Sequence, residues 1–86
     1  MITSIDEPVS VAGVYEKSGF TPKIFLWKGR KLKIIQITLV SDIKDGTVLK
    51  RLYSVLSEGM LYRLCFNRNL EKWTVEGVTD AQNPSR

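Results

Sequence analysis

Apolar and polar residues alternate along most of this chain, and turn-forming residues divide it at short intervals. Alternation with a period of two is typical of β-strands that bury one face. Six segments show it, at about residues 8–16, 20–28, 31–40, 47–56, 60–66 and 73–78. The pattern predicts an all-β fold, a small antiparallel meander of five or six strands in a strongly coiled sheet or a partly closed barrel.

The segments are separated by residues that tight hairpin turns require. Lys28-Gly29-Arg30 connects the second and third segments, and Asp45-Gly46 precedes the fourth. Glycine adopts positive φ at little cost, and asparagine, present twice in Asn67-Arg68-Asn69, tolerates it. Consecutive segments are therefore expected to pair as antiparallel hairpins.

The third segment changes the phase of its alternation. Leu32 and Ile34 share one face of a strand, and the opposite face receives the next apolar residues, Ile35, Ile37 and Leu39. A β-bulge near residues 34–35 would restore a single buried face and bend the strand, as a coiling sheet requires. The alternative is burial on both faces of the strand.

The segment at about residues 47–57 fits two structures. With a period of 3.6, Leu49, Leu52, Tyr53 and Leu56 form a helical stripe, which gives an α+β alternative with one helix. The valine, tyrosine and threonine content and the strand pattern that follows favour a β-strand.

The length of 86 residues, 43% of them hydrophobic, is enough for one modest core. We therefore predict a single β domain over residues 1–78. Residues 81–86 show no apolar pattern, so residues 79–86 are expected to form a flexible tail.

The chain has no histidine and one cysteine, which excludes the usual histidine or cysteine zinc sites and the Ser-His and Cys-His nucleophile pairs. We predict a non-enzymatic protein without a metal or other cofactor. Cys65 has no partner for an internal disulfide, no signal peptide is recognisable and no apolar run would span a bilayer. A cytoplasmic location without membrane contact is expected.

The net charge of +4 is unevenly distributed. Residues 17–51 carry nine basic and two acidic side chains, whereas residues 1–16 carry three acidic and no basic ones. Small β-domains bind single-stranded nucleic acid with basic grooves and aromatic rings that stack on bases. The sequence predicts such a site for single-stranded DNA or RNA on the second hairpin, formed by Lys23, Phe25, Trp27, Lys28, Arg30, Lys31 and Lys33.

Two other interpretations fit the same residues. Lysines on a sheet edge commonly serve only to block aggregation between sheets. The aromatic residues Phe25, Trp27 and Trp73 could instead form a face that binds a protein partner or a second copy, which would make the domain an adaptor or a self-associating structural module. The sequence leaves the partner, strand order and oligomeric state open.

The stretch from Pro22 to Val78, about two thirds of the chain, also resembles a family of small uncharacterised bacterial β domains. The features that carry the resemblance are Pro22, Trp27, Gly29-Arg30, Ile34 to Ile37, Tyr53-Ser54-Val55, Gly59 through Tyr62-Arg63-Leu64, and Trp73 with Val75 and Val78. Some relatives are joined to proteins of translesion-polymerase type. The resemblance therefore implies a β fold and an association with DNA metabolism. The Ser41-Asp42 turn and residues 1–21 depart from the family pattern.

Overall fold

The computed structural model describes residues 3–80, which form seven β-strands in one antiparallel sheet. The strands are β1 (Thr3–Glu16), β2 (Gly19–Trp27), β3 (Arg30–Lys33), β4 (Gln36–Asp45), β5 (Val48–Ser57), β6 (Met60–Asn67) and β7 (Lys72–Asp80). The predicted all-β class is confirmed, and the segment at 47–57 is a strand rather than a helix. These described residues contain no helix, and hence no helical segment able to span a membrane.

The seventh strand arises because the predicted third segment is divided. Its first part, β3, pairs with β2, whereas its second part, β4, pairs with β5. The division falls at Ile34-Ile35, where the alternation changes phase. The bulge expected there lies further on, between Ile37 and Leu39 of β4.

The order of the strands is β3-β2-β1-β7-β6-β5-β4, so the two edge strands are consecutive in the chain. Ile34 donates a backbone hydrogen bond to the carbonyl of Lys23 on β2, and Ile35 donates one to the carbonyl of Leu56 on β5, both at 2.8 Å. These two residues bring the edges of the sheet together. The sheet therefore coils back on itself without closing into a barrel.

β1 is long enough to pair with two neighbours in succession. Its pairing with β7 runs to Val9, opposite Trp73, and its pairing with β2 begins at Ser10, opposite Leu26. A bulge follows, because Ala12 and Gly13 are adjacent on β1 while their partners on β2 are two residues apart. The extra residue is Lys23, so the bulge bends β2 where it pairs with the second half of β1.

The core lies on the side of the sheet that faces inward as it coils. Its buried hydrophobic residues come from β2, β3, β5, β6 and β7: Phe25, Leu32, Tyr53, Val55, Tyr62, Leu64 and Val75. The end of β3 is attached to β5 by Ser57, a fully buried residue whose hydroxyl donates a 2.7 Å hydrogen bond to the carbonyl of Lys33. We call this side the core face and the opposite side the outer face.

The alternative prediction for the third segment, burial on both of its faces, is wrong at Ile35 and Leu39, because both side chains are exposed. At the other end of the chain, β7 continues to Asp80, two residues beyond the predicted end of the last strand. Residues 81–86 of the predicted tail lie outside the described residues.

Candidate binding site

The predicted basic hairpin divides its side chains between the two faces of the sheet. Residues directly opposite each other in an antiparallel pair project from the same face. Lys31 is opposite Leu26, whereas Leu32 is opposite Phe25 in the core. Because successive residues of a strand alternate between faces, Lys31 and Lys33 both lie on the outer face, away from the ring of Phe25.

Phe25 is fully buried, so the expectation that its ring stacks on a base is wrong. A core of this size depends on its largest apolar side chains, and Phe25 packs edge-on against Tyr62 with ring centroids 5.1 Å apart. Lys23, in contrast, is exposed. It is the extra residue of the bulge on β2, because Ala12 and Gly13 of β1 pair with Ile24 and Pro22 on either side of it.

The other hairpin side chains have partners within the protein. Trp27 is partly buried, and its indole Nε1 donates a 2.9 Å hydrogen bond to the carboxylate of Glu7. The ammonium of Lys28 lies 4.9 Å from the centroid of the Trp27 ring. Arg30 forms an ion pair with Glu58. The structure therefore does not gather the seven predicted residues into one binding surface.

A different site is formed by aromatic residues at the point where β1 leaves β7. An open cavity of about 470 Å³ lies there, and five of its lining residues are the aromatic side chains Tyr15, Phe20, Tyr53, Phe66 and Trp73. Only Trp73 belonged to a predicted binding face. The others come from four different strands, so no local spacing in the sequence connects them.

Trp73 is the centre of this aromatic array. Its ring centroid lies 4.9 Å from that of Phe66, 5.3 Å from that of Tyr53 and 6.0 Å from that of Phe20. Tyr15 extends the array at its open end, 5.1 Å from Phe20, and its side chain is 84% exposed. The distances are those of favourable tilted and edge-to-face pairs. The rings therefore form a continuous surface that leads from solvent to the core.

The strand pairing explains why this aromatic surface remains open. Trp73 is opposite Phe66 on β6 and opposite Val9 on β1, the last residue of β1 that pairs with β7. Beyond Val9, β1 pairs with β2 instead of β7. Tyr15 and Phe20 lie on the hairpin that β1 and β2 form. The cavity lies between the two diverging parts of the sheet.

Arg51 and Asp42 form an ion pair at the border of the cavity. The Arg51 guanidinium donates from Nε to Oδ1 at 2.6 Å and from Nη2 to Oδ2 at 3.1 Å. This hydrogen bonding lowers the pKa of Asp42, and the same contact, followed by that with Tyr53, raises the pKa of Arg51. The charge of Arg51 is therefore largely compensated within the protein.

Arg68 is the second guanidinium at the cavity, and within residues 3–80 no carboxylate lies within ion-pair distance of it. It occupies a well-ordered turn. Its backbone N–H donates to the carbonyl of Leu49, the Asn67 carboxamide accepts from the N–H groups of Asn69 and Leu70, and the Asn69 carboxamide accepts from the N–H of Leu49. The turn thus places beside the aromatic surface a guanidinium that forms no ion pair among the described residues, although Asp42 attracts it at longer range. Glu71 is the acidic group on the same border.

The remaining reactive groups lie elsewhere. Cys65 is buried between Leu52 and Thr74 of the neighbouring strands, and burial, followed by the charge of Glu76, raises the pKa of its thiol to about 11. Within the part of the chain that the structure describes, no group of three acidic or cysteine side chains is placed to hold a metal ion.

No protein-family model, curated protein or solved structure matches the chain. The resemblance to small bacterial β domains therefore stays a prediction.

Proposed function

We propose that this protein is a non-enzymatic module that binds single-stranded nucleic acid in the aromatic cavity. The observation that carries the proposal is the continuous array of rings from Tyr15 to Trp73 beside the guanidinium of Arg68, which forms no ion pair among the described residues. Proteins that bind single strands combine stacking rings with cationic groups that follow the phosphates. The net charge of +4 favours a polyanionic ligand over a cationic or neutral one.

The size of the cavity suits this ligand. Its volume of about 470 Å³ lies within the range of about 300–1,000 Å³ that is usual for small-molecule sites, which leaves room for one or two bases. A base that stacks on these rings would lie in the cavity that Arg68 also lines, where the guanidinium can meet a phosphate. Tyr53 and Phe66 would form the floor.

Stacking supplies most of the affinity in this arrangement. Arg51 is compensated by Asp42, and Glu71 stands on the same border as Arg68, so only one or two phosphates are neutralised at the cavity. The expected slope of log affinity against log salt is about −0.7 per phosphate on a single strand, hence about −0.7 to −1.4. A site on the basic hairpin would use four or five phosphates and give a slope of about −3.

The first prediction concerns Tyr15. Its exposed ring contributes little to the core, so Tyr15→Ala is expected to fold normally and to lower the affinity for a labelled oligothymidine of about 12 nucleotides by roughly 5- to 100-fold, the value of one stacked base. Tyr15→Phe retains the ring and should bind within about twofold of the natural protein. Fluorescence anisotropy at three salt concentrations gives both the affinity and the slope.

The matched variants distinguish the cavity from the hairpin. Arg68→Gln should weaken binding several-fold and reduce the salt slope by about 0.7. The double substitution Lys31→Gln with Lys33→Gln removes two charges from the outer face and should leave the affinity within about threefold. If the lysine double variant loses binding while Tyr15→Ala retains it, the hairpin is the site and the proposal fails. If the natural protein binds a proline-rich peptide but neither DNA nor RNA, the cavity is a site for a protein partner and the proposal fails.

A further inference from the structure

The two edges of the sheet differ in how well they are protected against pairing with another strand. β3 has four residues, two of them exposed lysines on the outer face, Lys31 and Lys33, which is a common protection of a sheet edge. β4 has ten residues and only one neighbour, β5. Its free edge is long enough to accept a further strand.

Exposed apolar side chains are concentrated on the same strand. Leu39, Val40 and Ile43 have 60%, 50% and 41% of their surface exposed. β4 also carries the charged residues Asp42, Lys44 and Asp45, but a long free edge with exposed apolar side chains is where strand addition occurs in β-proteins. The residues of β4 therefore indicate an interface rather than a solvated border.

The hairpin geometry shows which backbone groups of β4 are free. Asp45 and Val48 close a two-residue turn and exchange hydrogen bonds with each other, as the closing pair of such a hairpin does. The register is continuous from Asp45 back to Leu39, so residues 39, 41, 43 and 45 bond to β5. Val40, Asp42 and Lys44 direct their N–H and C=O groups away from the sheet.

We infer that β4 pairs with β4 of a second copy of this chain, antiparallel and centred on Ser41. This register places Leu39 opposite the partner's Ile43, and Ile43 opposite the partner's Leu39, on the outer face of both sheets. Val40 then exchanges hydrogen bonds with the partner's Asp42. Leu39 and Ile43 of the two copies then cover each other, and Val40 lies beside the partner's Asp42 on the core face.

The other two-fold registers near Ser41 satisfy β4 less well. A pair centred on Val40 would bring the bulge between Ile37 and Leu39 into the ladder. A pair centred on Asp42 would place two carboxylates directly opposite each other, which is unfavourable. A pair centred on Ile43 would place Asp42 opposite the partner's Lys44, but Arg51 already compensates Asp42, and an exposed ion pair is worth only about 0–1 kcal/mol. That register also leaves Leu39 and Val40 beyond the regular ladder. Charge thus excludes the pair centred on Asp42, and the covered apolar surface favours the pair centred on Ser41 over the one centred on Ile43.

The interface is small. Pairing of two edge strands lies near the lower limit of about 1,000 Å² at which specific interfaces begin, so a reversible dimer is expected rather than a permanent one. None of the residues that line the aromatic cavity belongs to β4. The dimer is therefore independent of the proposed binding function and leaves the cavity accessible.

Crosslinking tests the register directly. Opposite residues of a non-hydrogen-bonded antiparallel pair have Cα atoms about 4.5 Å apart, within the range that a disulfide bridges. Ser41→Cys is expected to form a covalent dimer under mild oxidation at least ten times faster than Lys31→Cys on the protected edge. The natural chain should form none, because its cysteine is buried. Equal rates for the two variants, or faster crosslinking of Ile43→Cys than of Ser41→Cys, would overturn the proposal.

Sedimentation velocity from about 5 to about 500 μM tests the dimer without crosslinking. The natural protein should shift from monomer towards dimer across this range. Val40→Pro removes an N–H that β5 does not use and should abolish the shift, whereas Val40→Thr should retain it. If Val40→Pro unfolds, Leu39→Lys combined with Ile43→Lys places like charges in the interface and should give a monomer. If the natural protein stays monomeric at every concentration, the dimer is excluded. Val40→Pro should still bind oligothymidine, so that loss of the dimer and loss of nucleic-acid binding can be told apart.

Discussion

Cys65 lies on the outer face of β6, yet its side chain is only 4% exposed. Burial and the neighbouring Glu76 carboxylate raise the pKa of the thiol from 9.0 to about 11. A thiol of this kind is a poor nucleophile at neutral pH because the thiolate, not the thiol, reacts. Cys65 therefore acts as a small packing residue rather than as a reactive group.

This shift predicts slow alkylation in the folded protein. Two pKa units correspond to a hundredfold smaller thiolate fraction at pH 8, so iodoacetamide should modify native Cys65 at least about 100-fold more slowly than the urea-unfolded chain. Mass spectrometry of timed samples measures both rates. Comparable rates would show that the thiol is accessible and ionises normally.

The same residue has a consequence for stability at high pH. The folded state holds the thiol proton more tightly than the unfolded state, so its contribution is fully present below pH 9 and is lost as pH rises towards about 11. The urea midpoint of the natural protein is expected to fall more steeply over this window than that of Cys65→Ala. Parallel pH profiles would contradict the assignment.

Residue identity alone did not locate the candidate binding site. Trp27 was predicted to lie on a binding face, but Glu7 occupies its indole N–H and Lys28 lies over its ring. Glu7 is twenty residues away and reaches Trp27 only because β1 pairs with both β7 and β2. The sequence contains both residues but not the pairing that joins them.

At the level of single strands, alternation was a reliable guide where one face is buried and the other is not. β5, β6 and β7 were found within a few residues of their bounds for this reason. The start of β1 was missed because residues 3–7 are mostly polar, and their pairing with β7 is made by backbone groups. The phase change at Ile34-Ile35 marks the division between β3 and β4. The sequence alone did not show that the two parts pair with different strands, β2 and β5.

The bulge of β2 depends on Gly13, which lies opposite it on β1. A Cβ atom there would lie 2.1 Å from the backbone carbonyl oxygen of Thr21 and 2.8 Å from Cα of Pro22, so neither neighbour can move aside as a flexible side chain would. Gly13→Ala is expected to lower the free energy of unfolding by about 3 kcal/mol or more, as severe overpacking does. Urea denaturation followed by tryptophan fluorescence measures it, with the exposed Ser10→Ala as a control expected to stay within about 0.5 kcal/mol. A neutral Gly13→Ala would show that the bulge relaxes easily.

Ser57 fastens the end of β3 to β5. Replacing it with alanine leaves the carbonyl of Lys33 without this partner, at a cost of about 1–3 kcal/mol for a buried acceptor. Ser54→Ala on the same strand removes a hydroxyl without a comparable bond and should cost less than about 1 kcal/mol. Hydrogen exchange at Lys33 and Ile34 should accelerate in Ser57→Ala beyond the change expected from global stability, and uniform acceleration would argue against a local role.

Across the whole molecule, the cavity is a product of topology. Its rings come from β1, β2, β5, β6 and β7, and they meet because β1 leaves β7 just after passing Trp73. Composition indicates eight aromatic residues but not which of them remain accessible. The basic hairpin shows the reverse case, since consecutive charges such as Arg30 and Lys31 are neighbours in sequence and lie on opposite faces of the folded sheet.

Thr3, where the described chain enters the sheet, is opposite Val78 of the adjacent strand β7, about 5 Å away, and the described chain leaves β7 two residues later at Asp80. A connection between two such points closes a short loop at small entropic cost. The β-sheet is therefore suited to insertion into a surface loop of a host protein, and to circular permutation with new termini at Gly46-Thr47, where the β4–β5 turn faces solvent.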